Sequence, residues 1–132
     1  MIKFTIHGEL PTMNEIIKAS KSHHMVYANM KKDYTALVMM FATQLPKISK
    51  ADYEMHWYCK NRRKDKDNIM AGQKFIFDGL VKAEKIKNDG WNDIGNISHK
   101  FFVDKDEPRV EVFIKELEWV AKSKGVYRYR NI

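Results

Sequence analysis

Between residues 53 and 83 the apolar side chains change period, and that change limits the folds open to this chain. Tyr53, Met55, Trp57 and Cys59 alternate with Glu54, His56, Tyr58 and Lys60. Period two is the mark of a half-buried strand, and it puts Cys59 on the apolar side. A charged segment, Asn61 to Asp67, follows and reads as a loop. Ile69, Gly72, Ile76, Leu80 and Ala83 then fall on one stripe at helical spacing, which predicts a helix over residues 68–83. Gly72 and Gly79 cost that helix propensity, and their place in it is explained by close approach of another backbone.

The rest of the chain fits the same plan. Ile2, Phe4 and Ile6 alternate with Lys3, Thr5 and His7 as a first strand. Thr12 and Glu15 have capping-box spacing, so a short helix is expected there. Lys18 to His24 is polar and basic and reads as a loop. Asn29 precedes a longer helix with Met30, Tyr34, Leu37, Val38, Phe41 and Leu45 on one face, and Pro46 stops it. Residues 84–93 form an irregular loop. Strands near 94–104 and 109–115 flank Asp104-Lys105-Asp106-Glu107-Pro108, whose turn composition predicts an antiparallel hairpin. The expected class is α+β: one domain, with a small, mostly antiparallel or mixed sheet packed with helices.

Composition bounds the function. A chain of 132 residues with 44% hydrophobic residues buries a core without staples. The single cysteine, Cys59, forms no internal disulfide, so a reducing compartment is expected. Met1 to His7 lacks the apolar run of a signal peptide, and the longest apolar run, Ala36 to Ala42, is too short to span a bilayer. A soluble, cytoplasmic protein with no membrane partner follows. The formal charge of +7 favours a polyanion. No phosphate-binding loop signature is present, so no nucleotide cofactor is expected, and the histidines lack zinc spacing.

Chemistry concentrates in Asn61-Arg62-Arg63-Lys64-Asp65-Lys66-Asp67-Asn68. Two acids one residue apart, inside a run of bases, can hold a divalent cation where a polyanion is drawn in. Mg²⁺ takes hard oxygen ligands, few of them from protein. In extended backbone Asp65 and Asp67 point the same way. Asp89, in Lys87-Asn88-Asp89-Gly90-Trp91, is a third candidate. A straight helix of about 16 residues is roughly 24 Å long, so Asp89 joins the pair only if the chain folds back or a second subunit supplies it. Each acid also has a plainer role: Asp67 as a helix cap, Asp65 in a solvated loop, Asp89 in a turn. Lys74, Asp78 and Lys82 stand four apart, the spacing of a surface ion-pair ladder.

The ordered set of segments resembles the RusA-like Holliday junction resolvases, small phage and prophage endodeoxyribonucleases. It comprises Arg63 to Ile69, Phe77-Asp78-Gly79-Leu80-Val81-Lys82-Ala83 and Asn88-Asp89-Gly90-Trp91. Leu10-Pro11-Thr12-Met13-Asn14-Glu15 looks like the family's proline–asparagine segment, and Val103 to Val112 like its C-terminal hairpin. The likeness spans roughly residues 1–116 as a nuclease domain, leaving 117–132 as a basic tail with Lys122, Tyr127, Arg128, Tyr129 and Arg130. It implies a homodimer that binds four-way DNA junctions and makes paired symmetric nicks using Mg²⁺, with Mn²⁺ as a substitute. The implied catalytic residues are Asp65, Asp67, Asp89 and Lys74, the three aspartates being the metal ligands. Arg62, Arg63, Lys64, Lys66 and Asn68 are the implied DNA-binding residues. The alternatives are a non-catalytic DNA-binding accessory protein, or a metal phosphodiesterase acting on other branched or single-stranded nucleic acid.

Overall fold

Apolar alternation places three strands on one core-facing surface. Phe4 and Ile6 of β1 (Ile2–His7), Tyr53, Met55 and Trp57 of β2 (Ala51–Cys59), and Val110, Val112 and Ile114 of β4 (Arg109–Ser123) are buried together. The computed structural model describes residues 1–123 and 126–131, with side chains to residue 118. Strand β3 (Ile94–Val103) and strand β5 (Val126–Asn131) complete the sheet. The order is β1-β4-β2-β3, and β5 pairs with the far part of β4. β2 is antiparallel to β4 and parallel to β3, so the sheet is mixed and the class is α+β as expected.

The hairpin expectation fails. β3 and β4 are not neighbours, because β2 lies between them. The turn composition of 104–108 is real: Asp104 Oδ1 accepts the N–H groups of Asp106 and Glu107 at 3.2 Å. But the Asp104 N–H donates to Cys59 O at 2.8 Å, which carries the chain over the end of β2. Two strand spacings, roughly 10 Å, are within reach of a five-residue link. β2 takes the middle because both its faces are packed: Tyr53, Met55 and Trp57 on the core, His56 and Tyr58 among aromatic rings on the other side. β4 also runs past residue 116 and pairs with β5, so the boundary drawn there falls inside a strand. The tail's Lys122, Tyr127, Arg128, Tyr129 and Arg130 side chains, and all of Lys124, lie outside the described residues.

The helices cover the core face. α1 (Met13–Lys21) starts at Thr12 with the capping box in place. α2 (His24–Ala42) starts five residues before the expected Asn29, capped by His23, whose ring accepts the Met25 N–H. The segment read as a loop is thus mostly helix: Lys18 to Lys21 are the end of α1, and only Ser22 and His23 separate it from α2. The single helix expected over 68–83 is two: α3 (Lys66–Met70) and α4 (Gln73–Lys82), broken at Ala71-Gly72. A Cβ on Gly72 would stand 3.0 Å from Leu10 Cβ and 3.1 Å from Trp57 Cη2. A Cβ on Gly79 would collide with Val38 of α2. The expected approach of another backbone holds for Gly79, where Met39 N of α2 would lie 3.2 Å from a Cβ; at Gly72 the crowding comes from side chains. Among the described residues no helix is long and apolar enough to cross a membrane.

Candidate nucleic-acid and metal site

The charged run leaves the carboxyl end of β2, the central strand, and turns into α3. Arg62, Arg63, Lys64, Asp65, Lys66 and Asp67 are all exposed. Asp65 is the N-cap residue of α3 in extended backbone, but its side chain makes no capping hydrogen bond. Asp67 Oδ1 accepts the Asn68 N–H at 2.9 Å. The cap role weighed for Asp67 thus falls by position on Asp65, whose carboxylate it leaves uncommitted.

Asn68 ties this run to α1. Its Oδ1 accepts the Asn14 backbone N–H at 2.9 Å, across 54 residues of sequence. That N–H belongs to the first turn of α1 and has no partner within the helix. Lys64 Nζ lies 3.5 Å from Glu15 Oε1. Burial would raise the Glu15 carboxyl, but hydrogen bonds with Thr12 and the Lys64 ammonium outweigh it and hold the carboxyl below its ordinary value. The proline–asparagine segment and the acid pair, far apart in sequence, are therefore one local structure.

Asp89 and Lys74 stand together elsewhere. Both wall a groove of about 530 Å³ with Met13 and Ile16 of α1, Gln73 and Phe77 of α4, and Ile94 and Ile97 of β3. Lys74 is exposed on α4. Among the described residues it makes no ion pair with Asp78, so the ladder expected from spacing is not formed; Asp78 Oδ2 is buried without a partner. Trp91, two residues after Asp89, is 92% exposed.

The expected convergence of Asp65, Asp67 and Asp89 on one cation is not formed in the single chain. Among the described residues no group of three or more His, Cys, Asp or Glu side chains could hold a metal ion. Topology gives the reason. β2 and β3 are parallel, with Ala51 opposite Ile94 and Cys59 opposite Val103. The acid pair follows the end of β2, whereas Asp89 precedes the start of β3. Those two ends are roughly 25–30 Å apart for strands of this length. The loop carrying Asp89 offsets part of that by reaching a groove that the first turn of α4 also walls. Asp65 and Asp67 do not share the extended segment expected of them, because α3 begins at Lys66 and puts Asp67 in its first turn. What remains is two exposed carboxylates at the start of α3, hard donors of the kind Mg²⁺ takes.

Sequence reasoning missed two features. Asn14 was read only within a resemblance, although its N–H is what Asn68 holds. Phe101 and Phe102 were read only as strand, yet they wall a cavity of about 500 Å³ with Arg62, Lys64, Lys66 and Cys59. Period two could have exposed them: of two adjacent aromatics on a strand, one must face away from the core. Burial raises the Cys59 thiol, helped by the Glu9 carboxylate and opposed by Lys64. No protein-family model matches the chain, and no curated protein matches it.

Proposed function

We propose that the chain is a Mg²⁺-dependent, structure-selective endodeoxyribonuclease that resolves four-way DNA junctions as a homodimer. The observation that supports this most is the Asn14–Asn68 hydrogen bond. It joins two of the segments that carry the resemblance, and Met13, just before Asn14 on α1, borders the groove holding Lys74 and Asp89.

In this reading Arg62, Arg63, Lys64 and Lys66 hold the phosphate backbone. Such contacts fix position without reading sequence, so selectivity comes from the shape of the junction. Asp65 and Asp67 hold the metal, and Asp89 completes the set in the loaded dimer. When bound, Mg²⁺ polarises a phosphoryl oxygen and lowers the pKa of a water. Lys74 neutralises charge on the phosphate from the groove wall. Asn68 positions the acid pair by anchoring α3 to α1. A four-way junction is close to two-fold symmetric, and a two-fold dimer with one site per chain supplies two equivalent cuts.

The test is a synthetic four-way junction incubated with the protein in Mg²⁺ or in EDTA, beside a linear duplex of the same arms. Paired nicks on the junction alone, abolished by EDTA, are expected. A second reading, a DNA-binding accessory protein without catalysis, is favoured by the dispersal of the three carboxylates. Junction binding with no nick under any divalent cation would establish it.

A further inference from the structure

The basic run does more than line a flat surface. Arg62, Lys64 and Lys66 line the cavity of about 500 Å³ together with Phe101 and Phe102 of β3 and Cys59 of β2. No acid is among the lining residues. Lys66 Nζ lies over the Phe101 ring, 5.7 Å from its centroid. Phe102 is 41% exposed, and its ring stacks on Tyr58 at 4.8 Å, so it is held in place while presenting a face. The volume falls within the range of small-ligand sites, about 300–1,000 Å³.

We propose that this cavity takes one unpaired nucleotide of a DNA strand, its base against Phe102 and its phosphates on Arg62, Lys64 and Lys66. Three cations, of which only Lys64 has an ion-pair partner among the described residues, Glu15 outside the cavity, favour an anion. The part-exposed Phe102 ring favours a planar, apolar body beside it. A nucleobase buried in a duplex cannot present its face, whereas one at a branch point or in a single strand can. This rests on the reading of the basic run as a DNA-facing surface, but not on any step of the chemistry. It adds a reason for structure selectivity: the substrate must be able to release a base.

Cys59 is the only thiol in the chain and lines the cavity, so its reaction with the disulfide reagent DTNB reports on the end of β2 that borders it. In EDTA, a short single-stranded oligothymidylate is expected to slow that reaction, while a linear duplex at the same nucleotide concentration is not. Phe102→Leu keeps an apolar side chain but removes the stacking face, and should weaken oligothymidylate binding about tenfold. Lys66→Gln should weaken it too, and reduce its salt dependence. Equal protection by duplex, or undiminished binding by Phe102→Leu, overturns the proposal. So does equal protection by free dTMP, which would make the cavity a mononucleotide site. Because no cutting is involved, a protein that protects Cys59 with single strands yet never nicks a junction would retain this site and lose the nuclease reading.

Discussion

Asn68 accepts the backbone N–H of Asn14 at 2.9 Å, so the side chain that follows the acid pair also satisfies the first turn of α1. One residue thus couples helix capping to the placement of Asp65 and Asp67. Asn68→Ala leaves that N–H without its partner and should cost about 0.5–1.5 kcal/mol in urea unfolding. Asn68→Asp keeps an oxygen acceptor at a helix N-terminus and should recover most of the stability. If Asn68 positions the acid pair, junction nicking should follow the same order; equal nicking by the alanine variant would separate the two roles.

Gly79 has no room for a side chain against Val38. Gly79→Ala gains helix propensity but must push α4 away from α2, and overpacking of this kind costs about 1–3 kcal/mol. The urea midpoint should fall. A rise, as propensity alone would give, would mean that the two helices are not in contact there.

His99 sets a pH dependence above the carboxylate range. Trp57 Nε1 donates to His99 Nδ1 at 2.9 Å, which requires an unprotonated nitrogen. Burial lowers the His99 pKa below its ordinary value of 6.5. As pH falls through about 6.5 the unfolded chain takes up the proton first. The stabilisation is therefore complete above that pH and declines as pH falls toward the folded value. His99→Gln should remove this part of the decline, read as thermal midpoint against pH between about 7 and 5. A profile unchanged by the substitution would show that His99 does not contribute.

Lys74 is exposed and has no ion pair with Asp78, so its removal should leave stability within about 0.5 kcal/mol. Lys74→Met should nonetheless lower the nicking rate about a hundredfold, the usual effect of losing one group that stabilises developing charge. Loss of junction affinity with an unchanged single-turnover rate would instead make Lys74 a binding residue.

The fold class was legible because alternation and helical spacing are written directly in residues such as Met55, Trp57, Ile76 and Leu80. Strand order was not. Turn composition in Asp104–Pro108 says that the chain reverses, but not how many strands it crosses. The break between α3 and α4 was foreshadowed only as a glycine at position 72, and the Leu10 and Trp57 side chains that crowd that glycine come from distant segments. The acid pair was legible as two residues with one between them on a charged run. The distance from it to Asp89 was not, because it depends on β3 lying parallel to β2.

The central claim is that Asp65 and Asp67 carry the cutting chemistry on a surface that grips branched DNA. Asp67→Asn tests it most directly, because asparagine keeps the oxygen that accepts the Asn68 N–H and alters only the charge. With a labelled four-way junction in Mg²⁺, the variant is expected to bind as tightly as the parent chain and to leave the strands intact. Equal nicking by both proteins would contradict the assignment.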